Sequence, residues 1–177
     1  MIRMRTQVAI LLLLLVVVAS AAFAQDENSL AKIATLKLGP LPVFPTCVTL
    51  APTHGDPFKG PATIAIKMTS GCNIPWHWHT ADESLIIVSG KAKMEMKDHN
   101  MSENIGAGDY VFLVGKHTHQ FTCVAACTFY DVTYGAFDIH YVDKDGNEIK
   151  PEDALKATSK AAPAAKKSAS KKAETKK

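Results

Sequence analysis

Between Thr63 and Val142 the chain sets short apolar runs between clusters of turn-forming residues, and the runs alternate with a period near two. Thr63–Met68, Leu85–Val88, Ala92–Met96, Tyr110–Leu113, Gln120–Cys123, Thr128–Thr133 and Ile139–Val142 are predicted strands, rich in β-branched and aromatic residues. Turn signals part them at Ser89-Gly90, Lys97-Asp98-His99-Asn100, Gly106-Ala107-Gly108-Asp109 and Asp143-Lys144-Asp145-Gly146-Asn147. Helical periodicity is weak and limited to short turns near Ser29–Leu36 and Pro151–Leu155. No internal repeat is visible. Many short strands with frequent turns predict an all-β sandwich or barrel.

The two ends read differently from the middle. Residues 1–24 have the form of an export signal: Arg3 and Arg5, an apolar run from Val8 to Ala19, then the small-x-small site Ala22-Phe23-Ala24 before Gln25. The run is short for a bilayer span, so cleavage is favoured over anchoring. A periplasmic or secreted mature protein is therefore expected. Residues 156–177 hold eight lysines, one glutamate and no large apolar side chain. Nothing there offsets the entropy of ordering, so a disordered tail is expected. Between them Gln25 to Leu155 carries ten basic and sixteen acidic residues. A mildly acidic body thus bears a basic tail, suited to anionic envelope surfaces, and export makes nucleic acid the poorest partner. Residues 25–49 read as an N-terminal arm and 50–155 as one domain, since about 130 residues hold one core and not two.

The chemistry concentrates between Gly71 and Gly90. His77 and His79 are one residue apart, so a strand presents both on one face and turns Trp76 and Trp78 to the other. Glu83 follows four residues later, across a Thr80-Ala81-Asp82 connection that can fold it back beside the rings. Two imidazoles and a carboxylate suit a divalent first-row transition metal. Cys47, Cys72, Cys123 and Cys127 permit three full pairings in an exported chain. Cys123 and Cys127 flank Val124-Ala125-Ala126, a hairpin-like loop across which they can pair, leaving Cys47 to Cys72.

These residues resemble the cupin superfamily. Gly71, His77, His79, Glu83 and Gly90 match its first motif at every spacing. The second motif is matched by Gly108 and His119 only: Val114 stands where the family has proline, Lys116 where it has the second glycine, and Cys123 where it has asparagine. His119 holds the family's spacing, with His117 as its competitor. The resemblance covers roughly Leu50 to Val142 and is to the small single-domain, type-2 branch with secreted bacterial members. It implies a double-stranded β-helix, or jelly roll, often as a homodimer. It also implies that His77, His79, Glu83 and His119 hold one divalent metal per chain, Mn, Fe, Ni or Zn. Four protein ligands on a six-coordinate ion leave two positions free, and Lewis-acid or redox chemistry then becomes possible.

Two functions follow as expectations. One is a metal-dependent enzyme acting on a small organic molecule, with dioxygenase, decarboxylase, isomerase and lyase activities all open to the fold. The other is a non-catalytic extracytoplasmic protein that binds a small molecule or the metal itself. No general base apart from the ligands is evident, although Glu83 and Asp82 are near. Trp76, Trp78, His54, His99 and His140 are read as packing or surface residues. Met94, Phe112 and Phe121 are candidates for the wall of an apolar cup.

Overall fold

The computed structural model describes residues 29–98 and 100–161. The expected export signal, most of the basic tail and His99 lie outside the described residues. Nine strands follow in order: β1 Val48–His54, β2 Ala62–Met68, β3 Asn73–Trp78, β4 Glu83–Met96, β5 Met101–Gly106, β6 Tyr110–Leu113, β7 His119–Thr133, β8 His140–Val142 and β9 Glu148–Ile149. One helix, α1 Pro151–Ala161, closes the described chain. Every strand pair is antiparallel.

Two long strands organise the rest. β4 and β7 pair from Glu83↔Thr133 at one end to Met96↔His119 at the other. The first half of β4 also pairs with β6, and the second half with β5. On its other edge β7 pairs with β3 through its first half and β2 through its second. Two half-sheets result, β1-β2-β7-β4-β6 and β9-β8-β3-β7-β4-β5, sharing the long pair as a common spine. Their inner faces bury Ile64, Ile66, Leu85, Ile87 and Phe129 on one side and Ile74, Met94, Phe121 and Tyr141 on the other. This is the all-β jelly roll that the sequence pattern and the resemblance imply.

The spine corrects two predicted turns. Ser89-Gly90 and Val124-Ala125-Ala126 do not end strands; they are bulges facing each other within β4 and β7, where the register shifts between Ile87 and Ala92. Gly90 sits at φ +90°, and a Cβ there would strike the carbonyl oxygen of Ala126 and lie 2.6 Å from Cys127 Cα. Turn residues serve here to buckle a strand rather than to reverse it. The Cys123 and Cys127 Cα atoms are 5.8 Å apart, against about 13 Å for four extended residues, and the two cysteines are disulfide-bonded across the buckle. Cys47 is bonded to Cys72, tying the arm to the start of β3.

Strands β1, β5 and β9 escaped the sequence pattern because half-buried and exposed residues dominate them. The arm is not loose: Gly39 bridges Leu50, and the Tyr141 hydroxyl donates to the Val43 carbonyl at 2.8 Å. The helix runs to Ala161, through the first six residues of the segment expected to be disordered. Glu152 and Asp153 in its first turn favour it through the helix dipole, and Ala154 is buried.

Candidate metal centre

His77, on β3, is the register partner of His119, the first residue of β7. Cross-strand partners share a face, so both rings point into the barrel, with centroids 4.2 Å apart. His79 follows the end of β3, and Glu83 opens β4 on the opposite half-sheet. All four are buried, none more than 7% exposed. One ring nitrogen from each of His77, His79 and His119 lies within 4.8 Å of the others. Glu83 Oε1 is 3.5 Å from His79 Nε2 and 3.2 Å from His119 Nε2. The structure thus brings together the whole expected set.

The far side of each ring is fixed by backbone. His77 Nδ1 donates to the Pro75 carbonyl at 2.6 Å, His119 Nδ1 to the His117 carbonyl at 2.9 Å, and His79 Nδ1 to the Asp138 carbonyl. A carbonyl oxygen only accepts, so each Nδ1 carries its hydrogen and Nε2 is the nitrogen left for a cation. Burial, with the neighbouring His119 and His79 rings, holds His77 well below the usual imidazole range. Burial likewise lowers His79, against the pull of Glu83. Burial works to raise the Glu83 pKa, but His79, His119 and a hydrogen bond with Asp131 bring it down to about 2. Two neutral imidazoles and an ionised carboxylate converge with the third ring, as a divalent transition metal requires. The donor set fits the metal that the fold implies.

Asp131 escaped sequence reasoning. It lies on β7 between its register partners Ile64 and Leu85, is 3% exposed, and hydrogen-bonds the Glu83 carboxyl. Burial first, then the Glu83 charge, pushes its pKa well above the usual carboxyl range. The signal was present in the alternation Cys127, Phe129, Asp131, Thr133, which places an acid on an inward position of a predicted strand.

The other candidates fall outside the cluster. His117 lies 3.8 Å from Asp98, and His140 stacks on Trp78 while pairing with Glu148 and Asp138. His54 is exposed, and Asp82 accepts from the Gly115 backbone N–H. Trp76 lies under the Lys97 ammonium, 5.3 Å from its ring centre. Of the apolar candidates, Phe121 lines the pocket around the three histidines, Met94 is core, and Phe112 is half exposed. Lys116, at the family's glycine position, adopts φ +67°, and its backbone N–H donates to the His79 carbonyl at 2.7 Å. The turn before His119 therefore keeps a left-handed residue without the glycine.

Over 75% of its length the chain superposes on 94% of the polyketide cyclase RemF from Streptomyces resistomycificus, with a TM-score of 0.62 and 16% identity. An acetylacetone dioxygenase from Acinetobacter johnsonii aligns over 78% of this chain and 97% of its own, with a TM-score of 0.56 and 19% identity. An RmlC-like cupin from Shewanella frigidimarina aligns over 63% of this chain and 94% of its own, with a TM-score of 0.52 and 13% identity. The fold is that of the cupins. In sequence, 68 residues of this chain, 37% of its length, are 34% identical to dimethylsulfoniopropionate lyase DddQ of Ruegeria pomeroyi. The match spans about a third of that lyase's length. No family model matches the chain.

Proposed function

We propose that this cupin is an exported, metal-dependent enzyme acting on a small organic molecule, with His77, His79, Glu83 and His119 holding one divalent transition metal. The observation that carries the proposal is the set of three Nδ1–carbonyl bonds, which commit three buried Nε2 atoms to one point beside Glu83. A structural metal site of this kind would more often be closed by thiolates. Here the cysteines are held in disulfides instead, and those disulfides fit an oxidising compartment outside the cytoplasm. A bound ion would supply Lewis acidity or redox capacity. The chain itself would orient the three rings, keep bulk water from the centre and hold one proton between Glu83 and Asp131.

Elemental analysis of the mature protein, purified without chelator or histidine tag, tests the assignment. About one Mn, Fe, Ni or Zn per chain is expected, and a His77→Ala/His119→Ala double variant should lose it while keeping its circular dichroism. Full metal content in the folded double variant would refute the site. The likenesses to a lyase and to a dioxygenase name the two reaction classes to assay first. Oxygen uptake separates them, and a ligand recovered unchanged after long incubation would point to capture rather than catalysis. The homodimer implied by the resemblance belongs to the same proposal and is read by sedimentation.

A further inference from the structure

The three imidazoles are not held in the same way. His77 and His119 each donate to a carbonyl two residues back in their own segment, that of Pro75 and that of His117. Those bonds are local. His79 lies beyond the end of β3, and its Nδ1 donates to the carbonyl of Asp138, 59 residues along the chain. Its orientation therefore depends on a distant segment, residues 134–139, which belong to no strand or helix. Whatever fixes that segment at Asp138 also fixes His79.

Asp138 is held by its side chain. Its Oδ1 accepts from the Thr80 backbone N–H at 2.8 Å, and its Oδ2 lies 3.3 Å from His140 Nε2. On the other edge of the ring, His140 Nδ1 donates to Glu148 Oε1, on β9, at 2.7 Å. The His140 ring is also stacked on Trp78, with centroids 3.9 Å apart and planes 5° from parallel. A side chain gripped on both edges and one face is locked in its rotamer and can serve as a brace. Burial works against a charged ring here, but hydrogen bonds to Glu148 and Asp138 outweigh it and raise the His140 pKa, in keeping with a hydrogen on each nitrogen. The segment has two further backbone ties, Tyr134 N–H to the Asp82 carbonyl at 3.0 Å and Phe137 N–H to the Pro57 carbonyl at 2.6 Å. Both come before Asp138. The brace begins at the surface, where the Glu148 side chain is 59% exposed, and ends at a buried imidazole.

We propose that His140 is a positioning residue for the metal centre: braced between Glu148 and Asp138, it holds the Asp138 carbonyl in place and so sets the orientation and the Nδ1–H tautomer of His79 alone. This rests on the reading of His77, His79, Glu83 and His119 as a metal site. It adds two residues, His140 and Glu148, that act on one ligand through Asp138. Partners that orient a metal-bound histidine are typically worth 10–100-fold in affinity, and one acting at a remove belongs at the low end, about tenfold.

The test is NMR of the full chain, isotope-labelled in nitrogen, first chelated and then titrated with Zn(II) against a competing chelator at one fixed pH. In the chelated native protein each of the three rings should show a hydrogen on Nδ1 that exchanges slowly with water. His140→Phe keeps an aromatic ring on Trp78 and loses both carboxylate contacts. In that variant the His79 proton should exchange about tenfold faster, while those of His77 and His119 keep their native rates. Its Zn(II) affinity should fall about tenfold. Glu148→Ala, at an exposed side chain, should speed the His79 proton by a smaller factor, and it decides the matter if His140→Phe fails to fold. Glu148→Gln, whose amide oxygen still accepts from His140 Nδ1, should stay near native. A native His79 rate in either folded variant, or three ring protons that speed up together as in a general loss of stability, would overturn the proposal. Failure of the metal reading looks different: a native protein that takes up no Zn(II) sinks that reading, while the selective loosening of His79 is still read in the chelated protein. Equal Zn(II) affinity in native and His140→Phe protein would keep the metal site and remove His140 from it.

Discussion

The carboxyl pair and the buried imidazoles pull the protein's response to acid in opposite directions. His77 and His79 are held below the usual imidazole range, so below about pH 6.5 the unfolded chain binds up to two protons at them that the folded protein refuses. Asp131 is raised well above the usual carboxyl range, so in mild acid the folded protein keeps one proton there that the unfolded chain has lost. Two histidines are lowered against one carboxyl raised, so the histidines prevail and stability falls as pH falls below the free-imidazole range. The melting temperature of chelated protein should therefore drop between pH 6 and 5. Asp131→Asn removes the opposing proton, so its drop should be steeper. A native profile as steep as that of the variant would show that Asp131 is ionised in the fold. Glu83, at about 2 against an ordinary 4.5, gives stability that is intact above about 4.5 and lost only toward pH 2. Metal affinity follows the same rings: protons compete with the ion only where imidazoles can be protonated, which burial moves to lower pH than free histidine. A competition titration should show affinity nearly level from pH 7 to 6.5 and falling below that.

At the level of the elements, the candidate metal ligands were more legible than the strands that carry them. His77, His79 and Glu83 sit at spacings that a strand and a short connection convert directly into proximity. Tyr110–Leu113 coincides with β6 because alternation and turns bracket it cleanly. The bulges were misread because Ser89-Gly90 is a turn signal in any local window. Only the pairing of β4 with β7 across some forty residues turns it into a buckle. Asp131 was hidden by its own chemistry, since an acid is rarely assigned to a core face without a partner in view. Two substitutions check the backbone account. Gly90→Ala combines a left-handed φ with a collision against β7 and should cost about 2–4 kcal/mol, read as a lowered denaturation midpoint at unchanged slope. Lys116→Gly, by contrast, relieves a non-glycine residue at φ +67°. Relief of about 1–2 kcal/mol, less the extra freedom of glycine in the unfolded chain, should leave a gain of up to about 1 kcal/mol.

For the whole molecule, the arm is what converts an open sheet face into a chamber. Gly39 to Leu41 and Phe44 form one wall of this chamber, held by the Gly39–Leu50 bridge, the Tyr141–Val43 hydrogen bond, the packing of Phe44 on Phe137 and the Cys47–Cys72 disulfide. The disulfide is the covalent one, and it joins residues 25 apart in sequence. On loop-closure grounds its loss should cost about 3 kcal/mol. Two hydrogen bonds join Gly39 to Leu50 and one joins Tyr141 to Val43, so few hydrogen bonds back up the crosslink along the arm. A Cys47→Ala/Cys72→Ala variant should thus lose stability and show faster amide exchange over residues 39–44. His77, His79, Glu83 and His119 hang from β3, β4 and β7, whose pairing does not involve the arm, so metal content should be retained at moderate temperature. Loss of metal along with the arm's amide protection would instead mean that the arm holds the candidate ligands in place and that the two parts form one cooperative unit.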